Sequence, residues 1–421
     1  MTKADKEGQR KAPILRFKGF TNDWEQRQLG EIGTTYSGLS GKNKSDFEKG
    51  NSNFVTFLEV LNNPILKNID LTNKVEIKEN EHQNKVKRND ILFNTSSETP
   101  EEVATSTVVD VNQSNLYLNS FCFGFRPNVK FSNYYIGYYL RSNHFRNRVF
   151  CLAQGISRYN ISKKSLIKLK LSLPKLEEQD KIGKIFNQVE LLLTLYDRKL
   201  KLLSQVKKYF LDNLFAKKEY PNLRFKGFTD AWEQRKLENL SEHKGGTSIE
   251  KYFSSDGLYK VISIGSYGLN NEYIDQGIRA VKNKTTESKL VRSGQLTMVL
   301  NDKTANGNLI GRCLLISKDN EFIVNQRTEI IIPGPDLNEN YAYYYLNGPF
   351  RNKVKKIAQG GTQIYVNYSS VKRQKINYPI KNEQIKISKL LKIIKSLITL
   401  YENKQHHLTE IKKTLLNTMF I

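Results

Sequence analysis

Cysteine is scarce. Cys122, Cys151 and Cys313 are the three in 421 residues, far apart and with no Cys-x-x-Cys, so neither a disulfide framework nor a zinc site is indicated. Histidine numbers five, scattered except for His406–His407. Helix neighbours diverge by roughly 100°, so that pair does not converge on one metal. No apolar run approaches the roughly 18 residues of a membrane-spanning helix. The opening MTKADKEGQRKAP has no apolar signal-peptide core, and residues 1–14 read as a disordered lead-in. A reducing cytoplasm fits these features, and no membrane partner is expected.

Catalytic signatures are missing too. There is no GxxxxGK[ST] phosphate loop, no Gly-x-Ser-x-Gly and no His-Glu-x-x-His. The chain has no Pro-Pro, which removes the Asn/Asp-Pro-Pro-aromatic motif of adenine methyltransferases. Pro335–Asp336 has no Glu-x-Lys behind it at nuclease spacing.

Acid is missing from two long windows. Val111–Leu176 has no Asp or Glu in 66 residues and 11 Lys+Arg, and Asn340–Asn382 has none in 43 residues and 8 Lys+Arg. The whole chain carries 67 Lys+Arg against 42 Asp+Glu, a formal charge of +25, which points to a polyanionic partner. An acid beside a phosphate costs Coulomb energy and releases no counterion, so a surface that tracks phosphates excludes it. Within the windows, Gln154, Ser157, Asn160, Gln359, Thr362, Gln363 and Asn367 are amides and hydroxyls suited to base edges. Arg158 and Arg327 suit guanine O6/N7. Gly155, Gly360 and Gly361 allow close backbone approach.

What is present is written twice. Residues 15–29, LRFKGFTNDWEQRQL, and 223–237, LRFKGFTDAWEQRKL, share twelve of fifteen positions, and both tryptophans, Trp24 and Trp232, lie inside them. Later landmarks recur: Asn119 and Pro127 with Asn325 and Pro333, Phe145-Arg146-Asn147 with Phe350-Arg351-Asn352, and Ala153-Gln154-Gly155 with Ala358-Gln359-Gly360. The stretch 192–215 matches 397–420 at ten of twenty-four positions. Residues 30–110 and 238–320 show no convincing alignment.

Glu177–Phe215 contains one glycine and no proline, with apolar residues stepping by about 3.5, the seam of a long coiled-coil helix. About 40 residues at 1.5 Å each span roughly 60 Å. Before it, Asn53–Leu58, Asp90–Phe93 and Thr107–Val111 lean to strand, and Leu116–Pro127 reads as one buried strand. Tyr134–Phe150 fits a helix pair whose tyrosines suit a core better than base stacking. The expected class is α+β, with units at 15–175 and 219–381 and long helices at 176–218 and 382–421.

Two diverged globular α/β domains, each followed by a long helix, resemble the specificity subunit of type I restriction–modification systems. LRFKGFTxxWEQRxL in both copies, LFNTSSETPEEVA, AQG-x(3)-YN, AQGGTQIYVN and the EEQDKI and EQIKI helix starts carry the resemblance over residues 13–421. It implies two target recognition domains, each reading half of a bipartite sequence in double-stranded DNA. It also implies two antiparallel helices that set the gap, an internal pseudo-two-fold axis, and docking of two methyltransferase subunits and of restriction subunits. No catalytic residue and no cofactor is expected on this chain: S-adenosylmethionine would sit on the methyltransferase, ATP and Mg on the restriction subunit. DNA contacts are expected at Thr95, Ser96, Ser97, Arg126, Gln154, Gly155, Ser157, Arg158, Tyr159, Asn160, Lys163 and Lys164 in the first half. In the second they are expected at Asn301, Lys303, Arg327, Gln359, Gly360, Gly361, Thr362, Gln363, Tyr365 and Asn367. The Gly155-to-Asn160 and Gly360-to-Asn367 loops would differ by two residues. Partner contacts are expected at Trp24, Trp232, Tyr196 and Tyr401, with the tryptophans alternatively anchoring each domain to the helical frame. The competing readings are a stand-alone DNA- or RNA-binding protein and a site-specific DNA enzyme with an unrecognised active site.

Overall fold

A computed structural model describes residues 12–216, 218–303 and 305–421. Of the lead-in at 1–14, residues 1–11 lie outside the described residues, and Pro13 is buried. The chain forms two compact units, 1–198 with 403–421, and 199–402. The division falls inside the two long helices, Leu176–Asn213 and Lys381–Thr418.

In the first unit, Glu25–Gln28 of the repeated segment pairs antiparallel with Lys170–Leu173. This joins the start of the domain to its end. The central sheet runs Gly33–Ser37, Cys122–Pro127, Ile91–Asn94, Ser106–Val109, Ile65–Leu66. Ile91–Asn94 and Ser106–Val109 are buried at every position, as expected of strands covered on both faces. The single strand read over Leu116–Pro127 is two, Leu116–Leu118 and Cys122–Pro127. They belong to different sheets, since Leu116–Leu118 pairs in parallel with Phe47–Val55. Residues 57–58, read as strand, begin the helix Phe57–Asn62, where Thr56 and Glu59 form a capping box.

The second unit repeats the plan without a matching sequence. Glu233–Lys236 pairs with Lys375–Tyr378, and the central sheet runs Ser241–Gly245, Thr328–Pro333, Leu296–Val299, Cys313–Leu315. A parallel pair, Tyr259–Ile262 with Phe322–Val324, again belongs to a second sheet. The topology survives where the alignment is lost because sheet cores need apolar residues of suitable size, not particular ones.

The repeated LRFKGF segment ties each unit to the start of its long helix. Arg16 makes a two-pronged pair with Glu178, 2.6 and 2.9 Å, and Arg224 pairs with Glu383 at 2.8 and 2.8 Å. Glu178 is 1% and Glu383 0% exposed. Next to them the Gln179 and Gln384 side-chain amides donate to the carbonyls of Pro174 and Pro379. They accept from the backbone N–H of Ser132 and Asn338. Gly183 lets the first long helix approach closely, for a Cβ there would lie 2.7 Å from the Tyr135 nitrogen.

Tyr134–Phe150 forms the two helices Asn133–Tyr139 and Asn143–Phe150. Their tyrosines are core. Tyr135 and Tyr139 are fully buried; the Tyr135 hydroxyl donates to the Ser172 carbonyl at 2.9 Å and the Tyr139 hydroxyl to that of Ile421 at 3.1 Å. Tyr341 and Tyr345 repeat the arrangement around Asn377. Tyr135, Tyr138, Tyr139, Tyr341 and Tyr345 are thereby closed to a stacking base. Trp24 packs edge-on to Tyr135 and Trp232 to Tyr341, at 6.0 and 6.3 Å between ring centroids.

Within each unit the helix segments run antiparallel. In the first, Phe186 stacks on Phe420 at 5.3 Å and Lys412 pairs with Glu190. In the second, Lys199 lies over the Tyr401 ring at 4.4 Å, and Leu211 packs against the cluster that contains Leu391.

Candidate nucleic-acid interface

The acid-free windows deliver a loop of the same build to each unit. In the first, the Gln154 N–H donates to the Asn160 carbonyl at 2.9 Å and the Asn160 N–H to that of Gln154 at 2.8 Å. Gly155 has φ +131°, and a Cβ there would lie 2.1 Å from the Arg158 carbonyl oxygen, so only glycine fits. In the second, Gln359 and Tyr365 exchange the same two bonds at 2.9 and 2.9 Å. Gly360, at φ +110°, meets the Gln363 carbonyl in the same way. The loops are therefore equal in length. The counterpart of Asn160 is Tyr365, not Asn367, and the expected two-residue difference disappears.

Each loop pairs with a second segment that the sequence had marked. Tyr159–Asn160 runs antiparallel to Ser96–Ser97, and Ile364–Tyr365 to Asn301–Asp302. Gln154, Gly155, Ser157, Arg158 and Asn160 are exposed, with Tyr159 and Thr95 half-buried. In the second unit Lys303, Gln359, Gly360, Gly361, Thr362, Gln363, Tyr365 and Asn367 are exposed. There Asn301, Arg327, Thr362, Gln363, Tyr365 and Asn367 help line a cleft of about 600 Å³. Its described lining residues include no carboxylate. The neighbouring Asp302 is 2% exposed and accepts from the Leu309 N–H at 2.6 Å.

Several expected contacts are corrected. Ser96 and Ser97 are 7% and 6% exposed, and the Ser97 hydroxyl donates to Glu102 at 2.6 Å. They form the platform beneath the loop and do not face outward. Arg126 forks onto Asp90 at 2.9 and 2.7 Å, donates to the Lys85 carbonyl and covers the Tyr36 ring. Its charge is neutralised inside the unit. Lys163 is half-buried and donates to the Ser37 hydroxyl at 2.6 Å, whereas Lys164 is exposed. Trp24 and Trp232 are 4% and 3% exposed, so they anchor their cores and offer no partner surface. Tyr196 and Tyr401 are half-buried on the long helices.

The charge argument also narrows. Arg141 donates to the carbonyls of Ser106, Val60 and Asn63, and Arg146 to those of Glu101 and Val103. Arg351 reaches Ile310, Gly307 and Asn308 in the same manner. Burial brings all three guanidinium groups down to about 10, still charged at neutral pH. These arginines hold loop carbonyls, so part of the missing acid reflects structure and not DNA. The windows still leave Lys130, Arg158, Lys164, Lys168, Lys170 and Lys175 exposed in the first unit, and Lys355, Lys356, Arg373, Lys375 and Lys381 in the second.

Exposed apolar residues were not anticipated. Leu191, Leu195, Leu202 and Tyr209 of the first long helix are 66%, 54%, 58% and 56% exposed. Ile385, Ile393 and Leu400 of the second are 44%, 49% and 46% exposed. The sequence signal was available, since Leu191, Leu195 and Leu202 fall off the 3.5-residue seam. No helix among the described residues is long and apolar enough to cross a membrane, and none of their His, Cys, Asp and Glu side chains group as a metal site.

A family model described as "Type I restriction modification DNA specificity domain" matches residues 21–205 and again 229–410. The MjaVIII type I restriction enzyme specificity subunit of Methanocaldococcus jannaschii is 25% identical over 330 residues, 75% of this chain and 73% of that protein. The crystal structure of the type I restriction–modification S subunit from M. genitalium superposes with a TM-score of 0.60 at 15% identity, covering 97% of this chain and 99% of that one. A chain from a study of complex assembly and conformational transition of the type I R-M system gives 0.51 at 15% identity, with 97% and 99% covered. At 15% these two likenesses speak for the fold. The two matched domains span most of the sequence, and the chain belongs to the type I restriction–modification DNA specificity family, as a specificity subunit with two target recognition domains.

Proposed function

We propose that each unit reads one half of a bipartite, double-stranded DNA target through its loop at 154–160 or 359–365. The observation that carries this reading is the pairing of these loops with Ser96–Ser97 and Asn301–Asp302. It gives both units a polar, basic projection of one design carrying different side chains. Retained geometry with changed lettering suits a device that reads two different sequences. The long helices set the gap between half-sites. Their exposed leucines and isoleucines receive two methyltransferase subunits, with restriction subunits joining the assembly. The chain itself performs no chemistry and holds no cofactor. S-adenosylmethionine belongs to the methyltransferase, ATP and Mg to the restriction subunit, and the assembly works in the cytoplasm.

The test is to exchange residues 30–175 for the corresponding domain of another family member. Methylated adenines are then mapped in cells that also make the methyltransferase. One half-site of the motif is expected to change while the other stays. A change in both half-sites, or in neither, would defeat the assignment.

A further inference from the structure

The two units place different side chains at one structural position. In the first, the Thr95 N–H donates to the Phe121 carbonyl at 2.9 Å, and the Ile161 N–H donates to the Thr95 carbonyl at 3.1 Å. In the second, the Leu300 N–H donates to the Arg327 carbonyl at 2.9 Å, and the Val366 N–H to that of Leu300 at 2.9 Å. Phe121 and Arg327 are therefore counterparts, each behind the platform strand on which its loop rests.

Neither residue serves its own fold in the ordinary way. Phe121 is 57% exposed, and Arg158 lies over its ring at 6.0 Å. The same loop leaves Ile156 95% exposed, so two large apolar groups stand in water on an otherwise polar surface. Arg327 is exposed and has φ +63°, a left-handed backbone that arginine seldom adopts. With the Asn301 amide turned to satisfy both groups, its oxygen accepts from Arg327 Nη1 at 2.6 Å. A backbone strain and a side-chain buttress aim one guanidinium into the cleft of about 600 Å³. Pure phosphate neutralisation needs neither.

We propose that this shared position determines base specificity, Arg327 selecting a guanine in one half-site and Phe121 a thymine in the other. The chemistry follows from the groups that base pairs show in the major groove. Guanine offers two adjacent acceptors, O6 and N7, which fit a held guanidinium fork; the thymine methyl is the apolar feature there. Phe121 offers an exposed apolar ring and no hydrogen-bonding group. The inference rests on the DNA-reading assignment and adds which residues read what.

The experiment uses the full chain with its methyltransferase and compares Arg327→Asn and Phe121→Ser with the wild type. Asparagine tolerates the left-handed backbone, which keeps the first variant foldable. Methylated adenines are mapped across a genome. The purified complexes are also titrated with the wild-type target and a panel of single-base variants. Arg327→Asn is expected to lose roughly ten- to hundredfold discrimination at one guanine, with the other half-site and the gap retained. Phe121→Ser is expected to relax one thymine of the opposite half-site. The retained half-site shows within each experiment that the variant is folded. If either variant weakens binding equally to every panel member and relaxes no base, the proposal is overturned. If the wild-type assembly imposes no motif at all, the DNA-reading assignment falls with it, an outcome distinct from a wild-type motif that the variants leave unrelaxed.

Discussion

Arginine does two kinds of work in this chain, and the partners on each side chain separate them. Arg16 and Arg224 are locked to the buried Glu178 and Glu383. Removing one member of such a pair strands the other charge, at a cost of roughly 3–5 kcal/mol. Arg16→Met is therefore expected to lower the unfolding free energy of the first unit by about that amount. Urea denaturation followed by Trp24 fluorescence in a Trp232→Phe background would report it, and a loss below about 1 kcal/mol would contradict a buried pair. Arg146 and Arg158 make a second comparison. Arg146 holds the carbonyls of Glu101 and Val103, while Arg158 is exposed on the loop. Arg158→Ala is expected to weaken DNA binding and reduce the salt slope by about one. Arg146→Gln should leave that slope unchanged and cost about 1–3 kcal/mol of stability. Composition could not separate these roles, because a carbonyl acceptor leaves no mark in the sequence.

The long helices were legible because their signal is local. A seam repeating every 3.5 residues without proline specifies a helix whatever surrounds it, and the helix found is Leu176–Asn213. An insertion of four residues near its middle adds about 6 Å of helix. It is expected to lengthen the gap in the methylated motif while keeping both half-sites; an unchanged gap would remove the spacer role. The sheets were legible only in part. Fully buried strands such as Ile91–Asn94 carry no alternation to read. The repeated topology of residues 30–110 and 238–320 therefore emerges from pairing, not from letters. The loops show the same limit. The glycines at 155 and 360 were visible, but the bridge that equates Asn160 with Tyr365 is a backbone bond. Phe121 is not legible as a surface residue, because an aromatic in a strand-like run reads as core, and here it stands 57% exposed.

Both tryptophan cores close on the end of a long helix, one near in sequence and one far. In the second unit Leu214 and Phe215, ahead of the repeat, pack with Trp232 and Tyr341. In the first unit that place is taken by Met419 and Phe420, with Phe420 against Tyr135, Tyr139 and Phe186. The Tyr139 hydroxyl bonds the carbonyl of Ile421, 282 residues away. During synthesis this reverses the usual order, in which the first domain made is the first to fold. Residues 199–402 are continuous and hold the cluster around Trp232 entirely within themselves. The half translated first waits with an unfinished aromatic core until residues 419 and 420 have been made. A chain stopped at Glu402 is therefore expected to shield Trp232 from an aqueous quencher and leave Trp24 accessible, and equal shielding of both would refute that order. Throughout translation of the second unit the aromatic cluster of the first lacks Met419 and Phe420, so the hazard of aggregation falls on the earliest-made residues.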